Sequence, residues 1–280
     1  MGLRINQNIE AMNAYRNLSG TESNLSRSLE KLSSGLRINR AADDAAGLSI
    51  SENLRSQING FKVASRNAQD GISLLQTAEG ALNETTSLLQ RVRDLAVQAS
   101  NSGANDGPAR EALGREVAQA LEEIDRISSA TVFGSKQLLD GSETGGFTFH
   151  VGYDGSDFNS MNVQISGMSS GALGLDTDAI IAMITGPNAS ASLASIDAAL
   201  KEVTNTRSSI GAYQNRLEST IANLGVAVEN LSASESRIRD VDMAEEMTNF
   251  SKLQILQQAG TAMLAQSNAL PQGVLSLLQG

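Results

Sequence analysis

The chain has 280 residues, no cysteine, no tryptophan, three tyrosines, six phenylalanines and a formal net charge of -10. That length allows one or two domains with a sizeable core, and the scarcity of aromatics points to helices packed closely through small side chains. Without cysteine there are no disulfides or thiolate metal sites, and the negative charge argues against broad electrostatic binding to nucleic acid.

The opening Met1-Gly2-Leu3-Arg4-Ile5-Asn6-Gln7-Asn8 has no apolar run of the length a secretory signal needs, so a protein leaving the cell would use another route. The segment to about Leu36 is amphipathic: Ala11, Leu18, Leu25 and Leu32 recur every seven residues, with Tyr15, Leu29 and Leu36 near the alternate series. Its basic residues, among them Arg16, Arg27, Lys31 and Arg37, read as solvated faces or subunit contacts. Gly35 and the run from Asn39 to Gly47 mark a break with turn and cap chemistry.

A shorter helix is predicted from Ala46 to Gly60, then a long one from Phe61 to Ala99, roughly 58 Å at about 1.5 Å per residue. The long one carries a heptad, Phe61, Ala68, Leu75, Leu82, Leu89 and Ala96, with a mostly small partner series from Ala64 to Ala99. The turn-rich stretch from Asn101 to Pro108 stops it. Another amphipathic helix follows, with Leu113, Val117, Leu121, Ile124 and Ile127 on one face.

Between Thr131 and Pro187 the pattern changes. Alternation in Phe147-Thr148-Phe149-His150-Val151 and Met161-Asn162-Val163-Gln164-Ile165 predicts short strands. A short apolar segment lies near Ile180-Ile181, and the region is too short for an independent catalytic domain.

After Pro187 a long helix is predicted to about Arg239, with Asn188, Ser190 or Ser192 as its N-cap. Its heptad is unbroken through Ile196, Val203, Ile210, Leu217, Leu224, Leu231 and Ile238, while the interleaved series is polar at Arg207, Gln214 and Glu235. A period of 3.5 residues held this long favours helices that pack along their length. A break is expected at Asp240-Val241-Asp242.

From Leu253 to Gly280 there is no charged residue, but six glutamines and Pro271 interrupt the stretch. A spanning helix needs about 20 predominantly apolar residues, which this segment does not supply. Its helical steps, through Leu253, Leu256, Gly260, Met263, Ser267 and Leu270, describe an uncharged helix buried against other protein.

The expected fold is mainly α: an elongated coiled-coil-like bundle of N- and C-terminal helices with a small β-hairpin region in the middle. The expected domains are a terminal helical one (1–44 with 241–280), a long-helix bundle (45–131 with 188–240) and a hairpin-rich middle region (132–187).

Catalytic chemistry finds little footing. His150 is the only histidine, in a predicted strand near Asp154 and Asp157, and reads as a strand residue rather than a ligand. There is no His-Glu-x-x-His, and Gly145-Gly146 lacks the lysine of a phosphate loop. Met243, Met247 and Met263 sit at helical spacing and read as packing residues. No catalytic, cofactor or metal residue is assigned.

The runs Leu29-Glu30-Lys31-Leu32-Ser33-Ser34-Gly35-Leu36-Arg37-Ile38-Asn39 and Ala41-Ala42-Asp43-Asp44-Ala45-Ala46-Gly47-Leu48 closely resemble bacterial flagellin. So do Asn67-Ala68-Gln69-Asp70-Gly71-Ile72-Ser73-Leu74-Leu75-Gln76 and the tail Gln254-Ile255-Leu256-Gln257-Gln258-Ala259. The resemblance covers roughly residues 1–140 and 190–280, in matching order at both ends. It implies a structural subunit of the flagellar filament: terminal helices form an inner tube, long helices pack around it, and the outward domains are nearly absent here. It implies secretion through the flagellar export apparatus without a cleavable signal, and assembly at the distal end of an extracellular filament used for swimming. The implied partners are other copies of the chain, the hook-associated junction and cap proteins and an export chaperone, with no nucleic acid and no membrane.

The packing residues nominated are Leu18, Leu25 and Leu32 on the first helix, and Leu75, Leu82, Leu89, Leu217, Leu224 and Leu231 on the long ones. Leu256, Met263 and Leu270 are nominated on the last. Ordering a chain costs about 1–2 kcal/mol of backbone entropy per residue, so both ends are expected to fold on assembly, where neighbours bury them. In flagellins recognised by the vertebrate Toll-like receptor, an Arg and a Leu on the long helix and a Glu on the next form the contact patch. The matching positions here are Arg91, Leu95 and Glu116. A flagellin-like hook–filament junction protein is the alternative reading, followed by an intracellular coiled-coil scaffold.

Overall fold

The fold is a computed structural model that describes residues 7–101, 106–143, 145–186 and 189–278, with side chains described except at 189 and 270–278. Helix α1 (Ile9–Ser34) is capped by Asn8, whose side-chain oxygen accepts from Ala11 N at 3.0 Å. It ends at Gly35, whose φ of 72° is left-handed backbone that favours glycine and whose N–H donates to Lys31 O. In the following turn the Asp43 carboxylate accepts from the backbone N–H groups of Asn39 and Arg40.

Helix α2 (Ala45–Ser100) corrects the expected division at Gly60. It is one uninterrupted helix of 56 residues, about 84 Å long at 1.5 Å per residue. Gly60 does not break it; it makes room for another chain segment. A Cβ there would lie 2.8 Å from Tyr153 Cβ, and the Tyr153 ring meets Phe61 edge-on with centroids 5.1 Å apart.

Helix α3 (Gly107–Ala130) starts from Asp106, whose carboxylate accepts from Ala109 N, with proline in its first turn. A tight hairpin follows, β1 (Val132–Phe133) against β2 (Lys136–Gln137), which the alternation did not reveal. The expected hairpin is present as β3 (Phe147–His150) antiparallel to β4 (Ser160–Val163), with Phe147 opposite Val163 and His150 opposite Ser160. The short apolar segment is helix α4 (Thr177–Thr185).

Helix α5 (Ala189–Arg239) contains Ser190 and Ser192, so neither caps it, and Asn188 lies outside the described residues. The break at 240–242 is present. Asp242 then accepts from Ala244 N and Glu245 N and opens α6 (Met243–Leu278).

The chain forms two compact units. Residues 57–228 make the larger one, and the heptads are its core. Ala68, Leu75, Leu82, Leu89 and Ala96 are buried with Ile196, Val203, Ile210 and Leu217. Arg93 bonds Asp197, and Gln214 Nε2 donates to Glu79 Oε2 at 3.0 Å, so α2 and α5 run antiparallel. Val117, Leu121 and Ile124 of α3 join this core, as do Phe147, Met161 and Val163 of the hairpin. The β3–β4 hairpin therefore shares a core with the long helices, whereas the β1–β2 hairpin is exposed.

The smaller unit holds residues 1–56 and 229–280. The expected boundaries at 44 and 241 follow the helix breaks, whereas the compact units part inside α2 and α5. Within the smaller unit, Glu52 of α2 meets Arg239 of α5 at 2.8 Å, and Arg37 N donates to Arg239 O.

Candidate assembly interface

In the smaller unit α1 and α6 pair antiparallel. Asn8 Nδ2 donates to Ser267 O at 2.8 Å near one end, and Ser28 Oγ donates to Glu246 Oε1 near the other. Asn8 thus serves twice, its oxygen capping α1 and its amide nitrogen holding α6. Between these ties Leu18 lies over Gly260.

The apolar steps of α6 split into two stripes. Leu253, Gly260 and Ser267 are half-buried or buried, and Gly260 and Ser267 face α1. Leu256 and Met263 are 46% and 64% exposed. The small residues are used for close approach within the protomer, and the bulky ones are left outside. On α1 the same sorting holds: Leu18 is buried, Leu25 and Leu32 are half-buried, and Met12 and Tyr15 are 62% and 64% exposed. More than half of the exposed large apolar side chains among the described residues lie on these two helices.

Two grooves flank the seam. One, of about 540 Å³, is lined by Leu18, Thr21, Leu256, Ala259, Gly260 and Met263 among others. The second, of about 780 Å³, is lined by Ile9, Met12, Tyr15, Arg16, Leu264 and their neighbours. Both have apolar floors and no charged cluster suited to chemistry. None of the described helices is long and apolar enough to cross a membrane.

The nominated packing residues separate accordingly. Leu75, Leu82, Leu89 and Leu217 are wholly buried inside the larger unit, so they hold the protomer together and offer nothing to another copy. Leu224 is buried and Leu231 half-buried. Leu256 and Met263 are open, and the side chain of Leu270 lies outside the described residues. The exposed Met12, Met243 and Met247 were not singled out by the heptads, because they fall outside the repeating series, whereas Tyr15 lies near the alternate series of α1 and is exposed all the same.

Arg91 and Glu116 do meet on the surface of the larger unit. Arg91 donates from Nε at 2.9 Å and from Nη2 at 2.5 Å to one oxygen of Glu116. Leu95 departs from its nomination: it is 2% exposed, in the core beside α3. A surface patch here consists of the ion pair without that leucine.

No group of three His, Cys, Asp or Glu among the described residues could hold a metal. His150 faces Ser160 across the hairpin, Nδ1 to Oγ 3.4 Å. Gly167-Met168-Ser169-Ser170-Gly171 has the spacing of a nucleophile elbow but not its strand–turn–helix setting. Ser169 Oγ accepts from Ala172 N, and Ser170 Oγ donates to Asp125. Both serines fix a loop.

A closed helical core with the apolar faces of its terminal helices left open has the build of a structural subunit that packs against other protein. Comparison with known proteins says which. Residues 5–144 match the family model of the bacterial flagellin N-terminal helical region, and residues 193–278 that of the C-terminal helical region. The chain is 46% identical over 306 residues to the flagellin of Bacillus subtilis strain 168, covering 99% of this chain and 100% of that one. To the flagellin of Halalkalibacterium halodurans it is 50% identical over 275 residues, covering 98% and 99%. In fold it is similar to a putative flagellar hook-associated protein from Vibrio parahaemolyticus, at a TM-score of 0.59 and 17% identity, over 71% of this chain and all of that one. The chain belongs to the bacterial flagellin family and is a structural subunit of the flagellar filament.

Proposed function

We propose that the open faces of α1 and α6 are the surfaces through which copies of this chain join, head to tail and laterally, into a helical tube used for swimming. The observation that carries this is the sorting on α6, with small residues against α1 and Leu256 and Met263 facing out. An apolar stripe on a helix that carries no charge from Leu253 onward is stable in water only when something covers it. A contact repeated between identical copies without closing gives an open helix.

The resemblance supports the finer parts of the reading. The chain passes through the flagellar export apparatus, is held by a chaperone on the way, and adds to an extracellular filament between junction and cap proteins. Ordering of both ends is completed on assembly: the α1–α6 pairing holds them partly in the free protomer, and the apolar area that offsets the remaining entropy cost lies on neighbouring copies. The bulk-subunit reading is favoured over a junction protein by the flagellin relatives at 46% and 50% identity over nearly the whole chain.

Purified full-length protomer, added to fragments of its own filament, should grow long tubes seen by electron microscopy. A Leu256→Asp, Met263→Asp variant should fold but not extend them. Unchanged growth of that variant would remove α6 from the interface, and failure of the parent to propagate would favour the junction reading.

A further inference from the structure

The chain has eight methionines and no cysteine, so thioethers are its only sulfur open to oxidation. Their placement is uneven. Met12 on α1 and Met243, Met247 and Met263 on α6 are all exposed, and all belong to the smaller unit. In the larger unit Met161 and Met168 are buried and Met183 is half-buried; Met1 lies outside the described residues.

Each of the four has a definite position on the open surface. Met263 lines the groove beside Leu18 and Leu256, and Met12 lines the other beside Tyr15 and Leu264. Met243 and Met247 are one helical turn apart, on one side of the start of α6. Methionine suits an adaptable contact because its unbranched thioether fills irregular gaps. The same sulfur is nucleophilic. With hydrogen peroxide, its lone pair attacks one peroxide oxygen, an S–O bond forms, the O–O bond breaks and water leaves. The sulfur loses two electrons and the peroxide gains them. The sulfoxide is polar and chiral, and sulfoxide reductases reverse it.

We propose that Met12, Met243, Met247 and Met263 form a redox-sensitive modification site on the assembly face. Peroxide converts them in the free protomer, the sulfoxides keep that protomer out of the polymer, and reduction returns it. This rests on the assembly reading above. In water a sulfoxide oxygen is solvated at no cost. Buried between apolar faces without a donor, each such oxygen weakens association by about tenfold. Copies already assembled are shielded, so the site acts on subunits waiting to add.

The test uses the full-length protomer, treated with hydrogen peroxide and mapped by peptide mass spectrometry. Sulfoxide should appear at the four exposed positions before Met161 and Met168. The protomer concentration needed to extend filament seeds should rise at least about tenfold, and sulfoxide reductase should bring it back. An M12L/M243L/M247L/M263L variant should extend seeds equally with and without peroxide; if it does not fold, reversal by the reductase carries the test. Unchanged growth of the oxidised protein overturns the inference, as does a loss that persists once the thioethers are restored. These outcomes leave the assembly reading standing. Failure of the untreated protomer to extend seeds overturns both.

Discussion

Leu18 lies directly over Gly260, so close that a Cβ added to Gly260 would come within 3.1 Å of the leucine Cδ1. The obstructing atom is the end of a flexible side chain beside an open groove, so it can yield. Gly260→Ala should therefore stabilise α6 by about 0.5–1 kcal/mol, the usual cost of glycine within a helix. Gly260→Leu has no such outlet and should separate α1 from α6. Hydrogen exchange of the α1 amides checks both: slower in the alanine variant, faster in the leucine variant. Faster exchange in the alanine variant would mean that Leu18 cannot move aside.

The two classes of apolar residue should respond oppositely to truncation. Leu217 has no exposed surface and sits in the core shared by α2 and α5. Leu217→Ala should cost about 2–5 kcal/mol of protomer stability. Met263→Ala should leave thermal unfolding of the protomer nearly unchanged and slow growth from seeds. Equal destabilisation by the two would contradict the division between internal core and assembly face.

That division was only half legible in the sequence. The heptads through Leu75, Leu82 and Leu89 and through Ile196 to Leu217 identified the buried faces, because a 3.5-residue period held over many turns has one physical use. They did not reveal Leu95, which is buried because α3 packs as a third helix and widens the core beyond a two-helix seam. Gly60 read as a break because its partner, Tyr153, approaches from a distant hairpin. The hairpin at 132–137 and helix α4 are too short for a periodic signal. On α6 the spacing marked the apolar positions; which stripe faces α1 is decided by the size of Gly260 and Ser267 against the shape of α1.

The Arg91–Glu116 pair is exposed on both sides, so it should contribute at most about 1 kcal/mol to stability. Arg91→Ala and Glu116→Ala should therefore fold normally, which makes them clean probes of recognition. If this surface engages the vertebrate receptor, soluble monomers of both variants should activate it less than the parent. Equal activation would dismiss the nomination.

Asp43 holds the turn between α1 and α2, and hydrogen bonds from the backbone N–H of Arg40 and then of Asn39 keep its carboxyl below the usual 3.8. A carboxyl depressed in the folded chain stabilises it above the ordinary value and loses that contribution as pH falls through the depressed one. The turn should thus loosen only as the medium becomes more acidic than about pH 4. Asp43→Asn should lower stability at pH 7 and flatten its dependence on acid. Urea unfolding of parent and variant from pH 7 to pH 2 checks this, with the two curves converging at the acid end. A gap that persists at low pH would assign the effect to the side chain's shape rather than its charge.

Removing residues 251–280 should separate folding from assembly. The deletion takes away Leu253, Leu256, Gly260, Met263 and Ser267, which supply both stripes of α6, and with Ser267 the tie to Asn8. It leaves every residue of the core between Ala68 and Leu217 in place. Cooperative thermal unfolding should survive with little change in midpoint, because that transition reports the core. Amide exchange in α1 should rise toward that of an unstructured chain, because an isolated helix of this length with a half-apolar face has little to hold it. Growth from seeds should stop. Should the shortened chain still elongate seeds into ordinary tubes, α6 would have no part in joining the copies, and the exposure of Leu256 and Met263 would need another cause.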